Sequence, residues 1–150
     1  MMGQNIGAGK YERVTRILRT MFMISLTIAA VLSVIMLLFP EQIFRAFTED
    51  AAVLAVGMDY LPVALLIFFG SACRAPMSAL INASGNYMAN FLTAIFDGII
   101  LRIGLALLFG LTLDMKHIGF WLGDALAGFT PLFIGLHLYF SGRWKRGLGK

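Results

Sequence analysis

The chain reads as an all-α, polytopic transmembrane helix bundle with about four spanning helices. Three observations predict it. Of its 150 residues 59% are hydrophobic and 13% charged, whereas a soluble domain carries about twice that charged fraction. Mean hydropathy is +0.84. Long stretches also lack the polar face that a helix needs to meet water, so the bilayer is the expected solvent.

The first helix is expected from about Lys10 to Phe39, its apolar part from 17 to 39. Lys10, Arg13, Arg16 and Arg19 make a basic flank, which with the adjoining apolar run invites a signal-peptide reading. The uncharged run Met21–Phe39 is too long for a signal core, and no small-x-small cleavage site comes after it. It therefore reads as a span. Pro40 ends it, because proline cannot continue the hydrogen-bond ladder. Glu41–Phe47 mixes charge with Ile43, Phe44 and Phe47 and suits a short amphipathic interfacial helix. Thr48-Glu49-Asp50 supplies an N-cap for the second span.

That second span is placed at 51–84, longer than the ~20 residues needed to cross, with Pro62 and Pro76 as bend points. Asn82-Ala-Ser-Gly85-Asn86 is a turn signal. The third span is placed at 86–111, and a loop with Asp114 and Lys116 leads to the fourth at 118–141, loosened by Pro131. Trp144 and the cations around it read as an interfacial anchor.

Net charge is +4. The cations collect at the two ends beside apolar runs, which encodes topology and argues against nucleic acid as a partner. Four Lys or Arg precede the first span and four come after the last (Arg143, Lys145, Arg146, Lys150), while the intervening outer loops hold only Arg45 and Lys116. Both termini are thus expected on the cytoplasmic side of the plasma (inner) membrane, with the lipid bilayer as the surrounding partner. Cys73 is the single cysteine and has no intramolecular disulfide partner.

Motifs for chemistry are few. Gly3-Gln-Asn-Ile-Gly7-Ala-Gly9-Lys10 fails as a phosphate loop, since Gln4 stands where glycine is required and Tyr11 where Ser or Thr is required. It fails as a dinucleotide fingerprint for want of a strand and a third glycine in register, and reads as a glycine-rich loop before a helix. His117 and His137 have no partners at metal-ligand spacing. No nucleophile motif or carboxylate pair suggests an enzyme, and no cofactor is expected.

The informative residues are the charges inside apolar stretches: Arg74, Asp97, Arg102 and Asp124. Each must face protein or a water-filled cavity, either as a structural salt bridge or on a substrate or ion pathway. At 1.5 Å per residue, Arg74 and Asp97 both lie ~13 Å from the inner face, Arg102 ~21 Å and Asp124 ~24 Å. Asp97 and Arg102 stand ~140° apart on an α-helix and should not pair. Depth therefore matches Arg74 with Asp97, and Arg102 with Asp124.

Gly3-Gln4-Asn-Ile-Gly7-Ala-Gly9-Lys10 before a basic helix start resembles the cytoplasmic loop of the multidrug and toxin extrusion (MATE) family. Phe44-Arg-Ala-Phe47 before an acidic cap agrees, as do Ser78-Ala-Leu-Ile-Asn-Ala-Ser-Gly85-Asn86, Ile118-Gly-Phe-Trp-Leu-Gly123 and Ser141-Gly-Arg-Trp-Lys145. Their order and spacing cover nearly the whole chain. The resemblance is to the last four of about twelve helices, so it implies a fragment or a truncated gene that lacks the preceding helices of the same transporter. It implies alternating access that couples inward sodium ions or protons to outward cationic, amphipathic drugs. Some members carry an acid about ten residues before the small-residue turn, where this chain has Gly70. Two other readings stand beside it: a small homo-oligomeric four-helix exporter, and a non-transporting accessory subunit.

Overall fold

A computed structural model describes residues 1–146; Lys150, one of the four C-terminal cations, lies outside the described residues. The described residues form helices joined by short connections, with no strand among them, and four helical segments are long and apolar enough to cross a membrane. The first is α2 (Tyr11–Leu38). It stops where Pro40 opens the short α3 (Pro40–Arg45), which carries a Glu41–Arg45 ion pair of 2.8 Å one turn apart. Asp50 then caps α4 (Ala51–Ala83) by accepting from the Ala52 N–H at 2.8 Å, as the acidic tripeptide predicted.

The 33 residues of α4 run unbroken through Pro62 and Pro76. At 1.5 Å per residue they extend about 50 Å, well beyond the roughly 30 Å of hydrocarbon. The helix ends where Gly85 takes a left-handed φ of 66°. Ser84 Oγ donates to the Ile81 carbonyl, and Asn86 caps the next helix through the Ala89 N–H at 2.9 Å.

The third span is not one regular helix. α5 (Tyr87–Ile95) passes into a π-helical turn, Phe96–Ile100, then α6 (Leu101–Leu107), then a second π turn, Leu108–Thr112. In the first the Leu101 N–H reaches the Phe96 carbonyl; in the second the Leu113 N–H reaches that of Leu108 at 2.9 Å. The fourth span is likewise divided. α7 (Lys116–Ala127) ends at Gly128–Phe129 and α8 (Thr130–Phe140) begins with Pro131 in its first turn, the interruption expected at that proline.

The spans pack in the order first, second, fourth, third, with α4 between α2 and the α7–α8 pair, and α5–α6 against that pair. Small residues permit the closest approach. A Cβ on Gly119 would stand 2.4 Å from the Phe109 carbonyl carbon, and one on Gly123 would stand 2.5 Å from the Ala106 nitrogen.

Two expectations at the chain ends need correction. Met2–Gly7 forms a helix, α1, where a glycine-rich loop was expected. Met2 and Ile6, four residues apart and so on one face, are buried in a cluster with Leu80, Ile81 and Val14, and that burial outweighs the low helix propensity of glycine. Trp144 was expected at the lipid interface. It is 2% exposed instead, stacked on Tyr139 at 5.7 Å and donating its indole N–H to the Tyr139 carbonyl. A ring with a single polar edge is fully satisfied inside protein once that donor has a partner.

Candidate functional site

The four charges found inside apolar stretches converge on one groove between the second, third and fourth spans. Asp97 is the buried member, its side chain 8% exposed. Arg74 of α4 reaches its Oδ2 at 2.6 Å. Arg102 of α6 reaches its Oδ1 at 3.4 Å and also donates Nε–H to the Asp97 backbone carbonyl at 3.3 Å. The other end of the Arg102 guanidinium bonds Asp124 Oδ1 on α7. The planar fork of arginine suits this bridging, because its donors point to two acceptors at once.

Arg74–Asp97 and Arg102–Asp124 are the pairs that depth matching anticipates. The Asp97–Arg102 contact was expected to be absent, and it is present. The reason is the π turn at Phe96–Ile100. A π turn closes i→i+5 rather than i→i+4, so it brings residues five apart onto one face.

Two arginines and two aspartates give a cluster of zero net charge. Only Asp97 is withdrawn from the surface; Arg74, Arg102 and Asp124 remain 41%, 38% and 50% exposed. They line a cavity of about 190 Å³ with Ile67, Gly70 and Ser71. They are therefore salt-bridged and cavity-lining together, which the sequence reading treated as alternatives. Gly70 stands against Phe129, whose ring would lie 3.0 Å from a Cβ there. A carboxylate at this position would require Phe129 to move.

Other neighbours escaped the sequence reading. Asp59, also inside the second span, lies 3.9 Å from His117 Nε2, and His117 meets Trp121 edge-on at 5.0 Å. Tyr60 packs on the other side of that region, 4.9 Å from Trp121. Tyr60 and Trp121 also line a wider apolar groove of about 580 Å³ with Phe44, Phe47 and Phe68. Asp59 was detectable as a charge in an apolar run; the aromatic groove has no linear signature, because it draws on four helices, α2, α3, α4 and α7. His137 is exposed on α8 and far in sequence from His117. Among the described residues no three His, Cys, Asp or Glu side chains gather as a metal site.

The loop-motif residues Gly3, Gln4, Gly7 and Gly9 stand away from the charged groove, on and just after α1. Gly3 lies against the end of α4, where a Cβ would be 3.4 Å from the Ala83 carbonyl oxygen, and Gly9 takes a left-handed φ of 69°. Of the four, Gly9 stands where the chain turns from α1 into α2.

The MatE family profile matches residues 1–108. The chain is similar to the "Probable multidrug resistance protein NorM" of Thermotoga maritima, at 22% identity over 97% of this chain and 32% of the relative. It is 24% identical to the "Probable multidrug resistance protein YoeA" of Bacillus subtilis, over 95% of this chain and 31% of the relative. It is 24% identical to "Multidrug and toxin extrusion protein 1" of Xenopus tropicalis, over 97% of this chain and 25% of the relative. It thus spans a third or less of each of these relatives. No solved structure matches. With a family profile over most of its length and four membrane-length helices, the chain belongs to the MatE family of multidrug transporters, which are not enzymes.

Proposed function

We propose that this chain serves as part of a multidrug efflux antiporter that exchanges sodium ions or protons for cationic, amphipathic drugs. Its mechanism is alternating access, with this four-span unit rocking against further helices of the same transporter around a shared cavity. Both termini lie on the cytoplasmic side of the plasma (inner) membrane. The observation that carries this reading is the neutral Arg74–Asp97–Arg102–Asp124 cluster opening into a groove in an otherwise apolar bundle. Charges that face a cavity rather than lipid mark a pathway for ions or substrate. A groove of about 190 Å³ is below the ~300 Å³ of a drug-sized site, which suits a groove that further helices complete.

Four spans alone do not enclose such a cavity, and the chain by itself should not transport. Expressed without a partner in a drug-sensitive host, it should give no resistance to cationic dyes. Robust resistance from the chain alone would contradict this proposal and favour a self-contained homo-oligomeric exporter.

A further inference from the structure

One end of the bundle carries a set of cations that the charged groove leaves unused. Lys10 at the N-cap of α2, Arg13, Arg16 and Arg19 in its first turns, and Arg143 and Lys145 after α8, are all exposed. Among the described residues none of them has an acidic partner, and Glu12 is the one acid within either stretch. The other arginines behave differently: Arg45 is paired at the opposite end, and Arg74 and Arg102 are paired inside. Among the described residues, unpaired arginines are thus confined to one end.

The two stretches are locked together. The Tyr11 hydroxyl donates to the Lys145 carbonyl at 3.0 Å, and the Tyr11 ring meets Trp144 edge-on at 5.6 Å. One turn further along α2, Thr15 Oγ1 and the Tyr139 hydroxyl are 3.3 Å apart. The Lys145 ammonium sits 5.6 Å from the centres of both the Tyr11 and Trp144 rings. Gly9, Lys10, Tyr11, Glu12 and Arg13 line an open cavity of about 520 Å³, its one acid flanked by two cations, and Lys145 stands beside it over the Tyr11 ring. The Lys145 ammonium thus stands over rings from both ends of the chain, next to the cations that open the first span.

The placement selects the ligand. The cavity opens where the apolar spans end, and Phe140, 79% exposed, stands three residues before Arg143. From Lys10 to Arg19 is ~13 Å along the helix, against ~5–8 Å of headgroup layer per leaflet. Lys10 and Arg13 then lie at headgroup level, and Arg16 and Arg19 reach it by extending their stems along the helix. A ligand here meets several cations at its head and apolar side chains below. The geometry points to a binding site for an acidic phospholipid, its phosphate held between Lys10, Arg13 and Lys145 and its acyl chains along the bundle. The lipid fastens the start of the first span to the end of the fourth, and this role is independent of transport.

The test is native mass spectrometry of the full chain in detergent with equal amounts of phosphatidylglycerol and phosphatidylcholine. Phosphatidylglycerol adducts should exceed phosphatidylcholine adducts by about tenfold or more. Lys10→Gln, Arg13→Gln and Lys145→Gln should each reduce that preference by up to about fivefold, and the triple variant should abolish it. Arg45→Gln, at the opposite end, should leave it unchanged, and millimolar inorganic phosphate should not displace the lipid. Equal retention of the two lipids, a triple variant that keeps the preference, or displacement by phosphate alone would overturn the assignment. Circular dichroism on each variant separates loss of the site from loss of the fold.

Discussion

Arg102 and Asp97 lie on the same face of the third span although five residues separate them, and the guanidinium holds both the Asp97 carboxylate and its backbone carbonyl. The π turn between them creates that face. Arg102 is thereby anchored on its own helix and presents its remaining donors to Asp124 on the fourth span. The cluster is held from within the third span, and the second and fourth spans attach to it.

A π turn in a helix is one inserted residue. Deleting Gly98, which has open space around it, should turn Phe96–Ile100 into regular α-helix and place Asp97 and Arg102 one turn apart. The deletion should leave a folded, monodisperse protein by size-exclusion chromatography. Deleting Leu65 from the regular part of α4 should not, since it rotates everything beyond it by about 100°.

The Arg74–Asp97 pair should be worth more than a surface ion pair and less than a fully buried one, because Asp97 is withdrawn while Arg74 is 41% exposed. Arg74→Leu should destabilise the bundle by about 1–3 kcal/mol. The exchange Arg74→Asp with Asp97→Arg should recover part of the loss. Thermal unfolding in detergent reads both; a double variant no more stable than the worse single one would contradict the pairing.

Gly119 and Gly123 let the third and fourth spans approach until a methyl group has no room. Gly123→Ala should cost about 1–3 kcal/mol through overpacking against backbone that cannot yield. Gly104→Ala, at a helical site with open space, should be neutral or stabilising by up to ~1 kcal/mol. Equal melting temperatures for the two variants would refute the close packing.

Lys10 and Lys145 lie at the end where Tyr11 meets Lys145, whereas Glu49 and Lys116 belong to the connections at the other ends of the spans. In a chain with Cys73 replaced by alanine, single cysteines at 49 and 116 should react with an impermeant maleimide in intact cells. Cysteines at 10 and 145 should react only after permeabilisation. Labelling of position 10 or 145 from outside would reverse the proposed orientation.

Much of this architecture is written in local signals. Pro40, Asp50, Gly85 with Asn86, and Pro131 mark breaks through proline in a first turn, capping and left-handed backbone, whereas Pro62 and Pro76 sit inside an unbroken α4. The two cross-span pairs are legible from depth alone, because rise per residue is nearly constant in a span. The π turns are different: nothing in Phe96-Asp-Gly-Ile-Ile100 separates it from α-helical sequence, so the Asp97–Arg102 contact that the turn permits was not legible either. The burial of Trp144 and of Met2 and Ile6 is non-local, since each depends on parts of the chain far apart in sequence coming together. The groove at Gly70 draws on the second, third and fourth spans and was legible as two depth-matched pairs but not as a cavity.

Resistance assays in cells leave room for host helices to complete the groove. Ion-driven dye flux in proteoliposomes made from the purified chain alone removes that possibility, and it tests most directly the claim that this is a dependent part of an antiporter. The vesicles are loaded with ethidium, and an inward sodium or proton gradient is imposed. A dependent part should leave dye retention indistinguishable from that of protein-free vesicles under either gradient. Dye release that requires the chain and one of the gradients, and that is lost in Arg102→Ala, would contradict that claim and establish the four spans as a complete transporter.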